Sequence, residues 1–357
     1  MLFTPNIHKF ERELPSLPPV DWQGGVLIRA TNWLGDLMMT LPATWQLKCA
    51  LPADVPLWVF TQRPFAPIWK AAPWIDGVIS FAGHHPTSLE IAEVKLHHFG
   101  LGIVLPNSFG SARDIWRCRI PRRLGRAGNF RSLLLTDRLP AWKRGEGEGQ
   151  WHQLSFYLEL MSVIGQIAYT ADFPPLEISS EPADNFGIHK HEKWLAIAPG
   201  AAFGPAKQWP MENFAMVARD HIDRGGKVAL IGTAKESYLA QQIQRIVPRV
   251  LDLTGKTGLE ELMSVLQNVD GVIANDSGAM HLAAGLGTRG IALFASTDPI
   301  ATGPLGAPWE LLVATAECRP CFQRACPWAG AIHYRCMREL TSQRVIELLP
   351  TLCSPKE

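Results

Sequence analysis

Short apolar runs alternate with amphipathic segments in the N-terminal half of the chain. Four of these runs are bounded by glycine or proline and predict strands buried on both faces: 26–30, 56–60, 77–81 and 101–106. The first run, VLIRA, leads through the turn-like TNWLGD into the helical pattern LMMTLPATWQLKCAL. A strand, a short loop and a helix make the first unit of a parallel α/β layer.

The same alternation restarts in the C-terminal half. WLAIAPG, KVALIGT, GVIAN and IALFAST predict strands, and the segments between them, such as NFAMVARDHIDRGG and LEELMSVLQNVD, have the periodicity of helices. Strands that alternate with helices of this length indicate a doubly wound sheet. We therefore predict two Rossmann-like doubly wound domains in tandem that face each other across a cleft.

A change of composition marks the domain boundary. The segment FPPLEISSEPADNFGIHKHEK is rich in proline, asparagine and charge, and a polar, glycine-rich stretch (141–150) precedes it. We predict an N-terminal extension over 1–24, an acceptor-binding domain over 25–180 and a donor-binding domain over 181–357. The extension mixes charges with prolines and has no apolar stretch of secretory length.

Composition and charge narrow the class of protein. The chain has 357 residues, 47% of them apolar, which is enough to fill two cores. The net charge of +1 argues against a general nucleic-acid binder. No apolar run approaches the roughly 18 residues of a membrane span. We expect a soluble, cytoplasmic protein that can work at a membrane surface.

The segment 271–287 carries the first candidate site. Its strand leads into Asp276, Ser277 and Gly278 at the start of a predicted helix, and His281 follows one turn later. Free backbone N–H groups and the positive end of the helix dipole make such a turn a seat for a diphosphate. The alternative is that Asp276 or Ser277 only caps the helix.

A second loop, 199–210, also leaves a predicted strand. It carries Gly200 and presents Lys207 before the next helix. A lysine in this position can neutralise a phosphate oxygen, although a solvated surface lysine would look the same. Two compatible loops at the carboxyl ends of strands in one sheet favour a nucleotide-diphosphate site.

In the first domain the candidate chemistry is a carboxylate. Asp36 follows the first strand and could act as the general base for an acceptor hydroxyl, with Arg29 and Asn32 orienting the acceptor. The alternative for Asp36 is a helix N-cap. Within the arginine-rich segment 107–135 we take further acceptor-binding candidates, although a charged run is also typical of a solvated face. These candidates are Ser108, Arg123, Arg126 and Arg131.

Four clustered cysteines remain: Cys318, Cys321, Cys326 and Cys336. Their spacing is C-x2-C-x4-C-x9-C, which could hold a structural zinc but is less regular than a zinc ribbon. A reduced, partly buried cluster explains the pattern equally well, and a disulfide suits a reducing cytosol less. We assign no metal to them.

With these segments in hand, the chain resembles the bacterial heptosyltransferases of glycosyltransferase family 9. The similarity runs from about residue 25 to 350 and rests on several motifs in the same order. These are RATNWLGDLMMTLPA, PNSFGSA, IPRRLGRAGNFRSLLL, APGAAFGPAKQWP, LTGKTGLEELMSVL, NDSGAMHLAAGLG and CRPCFQRACP.

The resemblance implies a GT-B fold with the donor in the C-terminal domain. It makes Asp36 the catalytic base and Lys207 the group that stabilises the diphosphate, and it places Asp276, Ser277, Gly278 and His281 in the donor loop. Gly200 belongs to the same donor side, and Glu236, in IGTAKE, falls near where the family grips the ribose.

The resemblance also implies the reaction. ADP-heptose would be the donor and the lipopolysaccharide inner core the acceptor, with inversion at the transferred carbon and no cofactor or required metal. The enzyme would work in the cytoplasm at the inner face of the membrane. Two alternatives stay open: a transferase or epimerase for another nucleotide sugar, and a non-catalytic nucleotide-sugar-binding protein.

Overall fold

The computed structural model describes residues 2–11, 13–15, 18–141, 150–190 and 192–352. The glycine-rich stretch at 142–149 and Cys353 therefore lie outside the described residues. The chain divides into two compact units. We call Asn6–Glu177 the N-terminal unit and Ile178–Glu357, together with the residues up to Pro5, the C-terminal unit. The division falls in the segment where the composition changes.

The described residues of the N-terminal unit form six strands. They are Val26–Arg29 (β1), Leu57–Gln62 (β2), Gly77–Phe81 (β3), Leu101–Val104 (β4), Arg122–Arg126 (β5) and Asp137–Leu139 (β6). They form one parallel sheet in the order β3-β2-β1-β4-β5-β6. The first four were predicted, whereas β5 and β6 lie in the arginine-rich segment and beyond it, where no strand was predicted.

Helices cover the sheet of the N-terminal unit. They are Leu34–Ala50 (α1), Ala66–Lys70 (α2), Ser88–Leu96 (α3), Phe109–Arg117 (α4) and Leu154–Met161 (α5). Two 3₁₀ turns lie at Arg63–Phe65 and Arg131–Leu133. β1 and β4 are buried along their whole length. Their apolar runs follow from this, because a parallel strand covered on both faces has no polar side.

The C-terminal unit contains a second six-stranded parallel sheet. Its strands are Trp194–Ala198 (β7), Lys227–Leu230 (β8), Leu251–Asp252 (β9), Gly271–Asn275 (β10), Gly290–Phe294 (β11) and Trp309–Val313 (β12). Their order is β12-β11-β10-β7-β8-β9. The prediction of two Rossmann-like doubly wound units is confirmed.

The helices of the C-terminal unit follow its strands in the expected alternation. They are Glu181–Asp184 (α6), Met211–Asp223 (α7), Ser237–Ile246 (α8), Leu259–Asn268 (α9), Gly278–Gly285 (α10), Pro299–Thr302 (α11), Arg335–Glu339 (α12) and Ser342–Leu352 (α13). Three 3₁₀ turns lie at Pro205–Lys207, Ala234–Glu236 and Gly330–Ile332. None of the helices in the described ranges is long and apolar enough to span a bilayer.

The N-terminal segment, predicted as an extension over 1–24, is part of the fold. Leu2 forms an antiparallel bridge to Glu310, and the Phe3 amide donates to the Trp309 carbonyl at 3.0 Å. Farther along, the ring of His8 stacks on Trp151 with centroids 4.2 Å apart. Backbone pairing therefore holds Leu2 and Phe3 within the C-terminal unit, and aromatic packing holds His8 within the N-terminal unit.

Each sheet has one point where the direction of chain progression reverses. In the N-terminal unit this point is between β1 and β4, and in the C-terminal unit it is between β7 and β10. The loops after the two strands at such a point leave toward opposite faces, and the crevice outside their carboxyl ends is where doubly wound sheets bind ligands. The switch points therefore locate the candidate site residues independently of any motif.

Candidate active site

The two predicted donor loops flank the switch point of the C-terminal unit. One follows β7 and contains Gly200 and Lys207, and the other follows β10. The fully buried Asn275 ties them together: its Nδ2 donates to the carbonyls of Pro199 (2.9 Å) and Gly200 (3.2 Å), and its Oδ1 accepts from the Trp209 amide at 3.1 Å. Asn275 was not among the site residues predicted from the sequence, although a polar residue at the end of an apolar strand was a usable signal.

Lys207 does not lie free on the surface. Its Nζ donates to Asp276 Oδ2 at 2.5 Å, and the hydroxyl of Thr297 donates to the same oxygen at 2.6 Å. The side chains of Lys207 and Asp276 are only 14% and 4% exposed. The alternative of a solvated lysine is therefore wrong. Asp276 instead holds the ammonium group beside the first turn of α10, where two of its three N–H donors remain for an anion.

Ser277 stands at the N-cap of α10, yet its side chain makes no cap hydrogen bond. Within the described part of the chain, its hydroxyl is buried without a hydrogen-bond partner. Asp276 is occupied by Lys207 and Thr297, so neither residue acts only as a helix cap. Gly278 begins the helix and the buried His281 lies one turn farther on. A buried donor without a partner is costly, which suits a site completed by a ligand.

Glu236 lies against the loop that follows β7. Its Oε2 accepts from the amide and the hydroxyl of Thr233, both at 2.8 Å. A Cβ added to Gly200 would lie 1.9 Å from Glu236 Oε1, and one added to Gly232 would lie 3.1 Å from Oε2. Both glycines therefore leave room for the carboxylate. The structure brings Glu236 to Gly200, at the same sheet edge as Lys207.

The cysteine-rich segment supports the donor loops from outside. The guanidinium group of Arg319 donates to the carbonyls of Ala295 (3.1 Å) and Thr297 (3.0 Å). Farther along, Arg324 Nε donates to the Phe203 carbonyl at 2.8 Å, and the Arg324 carbonyl accepts from Ala206. The segment thus contacts the backbone just before Lys207 and the backbone of the loop after β11.

The four clustered cysteines are free thiols. Burial raises the pKa of the Cys336 thiol, and electrostatic interaction with Cys318, Cys321 and Cys326 raises it further. Across the described ranges no group of three or more His, Cys, Asp or Glu side chains is arranged to hold a metal ion. The hydrogen bonds described in the preceding paragraph show that the cysteine-rich segment packs against the donor loops.

In the N-terminal unit, Asp36 lies in the first turn of α1, directly after the switch-point strand β1. The N-cap position belongs to Trp33, so the alternative that Asp36 is the cap is wrong. Asp36 Oδ1 accepts from Gln153 Nε2 at 3.4 Å, and the same nitrogen donates to the Tyr157 hydroxyl at 2.9 Å. Burial and the nearby charge of Asp36 raise the pKa of Tyr157. Of these three side chains, Asp36 is therefore the one that can take up a proton.

Of the four arginines predicted to contact the acceptor, three require a correction. Arg29, Arg126 and Arg131 are buried, and all four hydrogen bond within their own unit. Arg131 donates to the Pro106 carbonyl at 2.8 Å, and burial together with Arg126 lowers its pKa to about 10. Arg123 donates to the carbonyls of Ile120 and Leu134, each at 2.6 Å. The buried guanidinium groups of Arg29, Arg126 and Arg131 therefore support loops instead of offering free donors to a ligand, whereas the acceptor contact of the partly exposed Arg123 stays a prediction.

Arg126 should therefore matter for stability. It pairs with Glu159 Oε2 at 2.5 Å, and the two side chains are 5% and 1% exposed. Removing one partner of a buried ion pair costs about 3–5 kcal/mol. We expect Arg126→Ala to lower the free energy of unfolding in urea by this amount and exposed Arg138→Ala to change it by less than about 0.5 kcal/mol. Equal stability of both variants would contradict the structural role.

Two further acceptor candidates, both from loops at the switch point, are also accessible. Asn32 is half-buried and accepts from Arg29 at 3.0 Å through Oδ1. Ser108 is exposed and caps α4, accepting from the Ser111 amide at 3.1 Å. Asn32 lies in the loop after β1 and Ser108 in the loop after β4, so the two flank the switch point of this unit.

Two tandem doubly wound units, with paired loops at the switch point of the second, define the class of protein: a glycosyltransferase of the GT-B type. The model of glycosyltransferase family 9 (heptosyltransferase) matches residues 91–332, and the chain belongs to this family. The family membership and the enzyme class predicted from the sequence are thereby confirmed. Membership of this enzyme family removes the alternative hypothesis of a non-catalytic nucleotide-sugar-binding protein.

The names of similar proteins are consistent with this family assignment. The chain is 32% identical to the lipooligosaccharide heptosyltransferase 2 of Haemophilus influenzae, over 78% of this chain and 86% of that protein. It is 27% identical to the lipopolysaccharide heptosyltransferase 2 of Escherichia coli, over 93% and 99%. The solved structure of ADP-heptose LPS heptosyltransferase II from E. coli has the same fold, with a TM-score of 0.76 and 24% identity over 92% of this chain and 98% of that one.

Proposed function

We propose that this enzyme transfers heptose from ADP-heptose to a heptose hydroxyl of the lipopolysaccharide inner core, with inversion at the anomeric carbon. The relatives in H. influenzae and E. coli are named for transfer of heptose to lipooligosaccharide or lipopolysaccharide. The similar E. coli structure is named for ADP-heptose. The E. coli relative spans almost the whole chain, which supports a common substrate class.

The observation that carries the proposal is the anion seat at the start of α10. The buried Ser277 hydroxyl has no partner among the described residues, and Lys207 is held beside it by Asp276. A helix N-terminus adds about half a positive charge and several free N–H groups. Together these groups suit a diphosphate, whose charge grows as it leaves the sugar. We assign Gly278 the close approach of backbone to phosphate, and His281 a contact with the same anion.

Asp36 supplies the base. In the proposed step its carboxylate accepts the proton of the acceptor hydroxyl while that oxygen forms the new bond to the anomeric carbon. The bond from this carbon to the ADP oxygen breaks, and its electron pair stays on the leaving phosphate. A single displacement of this kind inverts the carbon. Lys207 and the α10 N-terminus stabilise the departing charge, a contribution that is greatest in the transition state.

The acceptor is bound by the N-terminal unit in this proposal. Asn32 and Ser108 flank its switch point and offer an amide and a hydroxyl to sugar groups. Because lipopolysaccharide is anchored in a membrane by its lipid, we propose that the enzyme works in the cytoplasm at the inner face of that membrane.

We propose that Glu236 contacts the ribose of the donor, and this contact can be tested. Gly200→Ala would place a methyl group on the Glu236 carboxylate, whose flexible end would have to move. We expect Gly200→Ala and Glu236→Ala each to weaken ADP binding about tenfold, the loss of one hydrogen bond to a charged group. In the double variant the losses should not add, because both act on one contact. Calorimetric titration measures all three, and additive losses would contradict the shared contact.

A titration of the wild-type chain with ADP, UDP and GDP tests the donor assignment. We expect ADP to bind at least tenfold more tightly than the other two. A preference for UDP or GDP would move the proposal to another nucleotide sugar. Incubation with ADP-heptose alone separates transferase from epimerase, because a transferase slowly releases ADP to water whereas an epimerase returns an altered nucleotide sugar.

A further inference from the structure

A buried ion pair lies at the carboxyl end of β1. Arg29 Nε is 3.3 Å from Asp114 Oδ2, and both side chains are fully buried. Arg29 also donates to the Ala30 carbonyl (2.6 Å) and to Asn32 Oδ1 (3.0 Å), and its guanidinium group lies 4.7 Å from the centre of the Phe81 ring. The desolvation of such a pair is expensive unless further hydrogen bonds satisfy both groups. The further hydrogen bonds of Arg29 go to the end of its own strand and to the loop that follows it.

The further hydrogen bonds of Asp114 are with His85. Both of its carboxylate oxygens lie 3.1 Å from His85 Nδ1. A carboxylate can only accept, so Nδ1 must carry the proton, and Nε2 presents a lone pair when the ring is neutral. The charge of Asp114 is already matched by Arg29, so a neutral imidazole leaves the trio without net charge. His85 thus offers a hydrogen-bond acceptor of fixed orientation.

The ring of His85 is fixed but not enclosed. A Cβ added to Gly110 would lie 2.2 Å from its Cε1, so the ring packs against the first turn of α4. The side chain is nevertheless 42% exposed, and within the described ranges Nε2 makes no hydrogen bond. A latch between the β3–α3 loop and α4 would need only Nδ1. Arg29 and Asp114 are fully buried, so His85 is the member of the trio whose side chain is partly exposed, and Nε2 is the ring nitrogen that Asp114 does not use.

The position of the trio connects it with Asp36. Arg29 ends β1, and its partner Asn32 lies in the loop that leads to Asp36. His85 follows β3 and Asp114 lies on the helix after β4, so all of them stand at the carboxyl edge of one sheet. This edge is where a doubly wound sheet binds its ligand.

We propose that His85 is an acceptor-binding residue whose Nε2 accepts a hydrogen bond from a hydroxyl of the acceptor sugar, with Asp114 and Arg29 as positioning residues. This inference rests on the proposed function. It gives buried Arg29, whose own guanidinium group cannot reach a ligand, an indirect role at the acceptor side.

His85→Asn separates the proposal from a purely structural latch. The asparagine amide can replace Nδ1 and still donate to Asp114, but it has no atom at the position of Nε2. The assay uses the full-length chain with ADP-heptose and a heptose-terminated lipopolysaccharide core. We expect His85→Asn to raise the acceptor KM about tenfold, as for one lost hydrogen bond, with ADP affinity and melting temperature as in the wild type. His85→Ala should raise the acceptor KM at least as much.

His84→Asn is the matched control, since His84 is the exposed neighbour in the same loop. We expect wild-type kinetics from it. A wild-type acceptor KM in His85→Asn would overturn the proposal while leaving the heptosyltransferase function intact, because the wild type transfers heptose in the same assay. Lack of transfer by the wild type would instead overturn the proposed function, and the role of His85 with it.

Discussion

Asp36→Asn is expected to fold like the wild type and to lose transfer activity by about 10²- to 10⁴-fold, the usual contribution of a general base. The amide has the shape of the carboxylate but cannot take the acceptor's proton. The fold should tolerate the change because Trp33 holds the N-cap of α1 and the hydrogen bond that Asp36 accepts from Gln153 is long, at 3.4 Å. Loss of the favourable charge at the helix N-terminus costs at most about 1 kcal/mol.

The measurement is a single-turnover transfer assay with saturating ADP-heptose and acceptor, together with ADP titration and thermal unfolding. Asp54→Asn, at an exposed aspartate beyond the far end of α1, is the control and should be fully active. If Asp36→Asn transferred heptose at the wild-type rate, Asp36 would have no part in the chemistry. A loss of activity together with a loss of folding would point to a structural aspartate.

Lys207→Gln is expected to lower kcat by about 10²- to 10³-fold, as for removal of a preorganised group that stabilises developing charge. Glutamine can still donate to Asp276, so the buried carboxylate keeps a partner besides Thr297. What disappears is the positive charge beside the α10 N-terminus. Because that charge acts most strongly on the leaving diphosphate, kcat should fall more than ADP affinity.

Lys207→Arg should recover part of the rate, since it restores the charge in a different geometry. The control is Lys190→Gln, at an exposed lysine of the same unit. Steady-state kinetics with ADP-heptose distinguish the cases. A rise in the donor KM alone, with kcat unchanged, would mean that Lys207 stabilises the bound ground state and the transition state equally and does not speed the chemical step.

The apolar strands could be read from the sequence because burial on both faces leaves them without polar positions. β3 and β7 begin where the runs GVISF and WLAIA begin. β5 could not be predicted from the sequence, because its residues are RRLGR and resemble a solvated charged loop. Its charges are matched by residues distant in sequence: Arg122 pairs with Asp137 on the neighbouring strand and Arg126 with Glu159. Such pairing is a property of the tertiary structure.

The same limit applies to the candidate site. The glycine-flanked donor loops could be predicted as turns after apolar strands, whereas the roles of Thr297 and Gln153 could be seen only from their contacts in the structure. The arginine candidates failed for the opposite reason, since charge predicts exposure unless a partner is known. Strand order is the missing information: that β1 lies beside β4, and β7 beside β10, is what brings the loops together.

The central claim is direct transfer of heptose from a nucleotide diphosphate to a sugar hydroxyl. Mass spectrometry and nucleotide analysis of one reaction, containing the purified chain, ADP-heptose and a heptose-terminated lipopolysaccharide core, test it most directly. We predict that the core gains the mass of one heptose and that one ADP is released for each heptose transferred. Release of ADP without a mass gain, or conversion of ADP-heptose to another nucleotide sugar, would contradict the account.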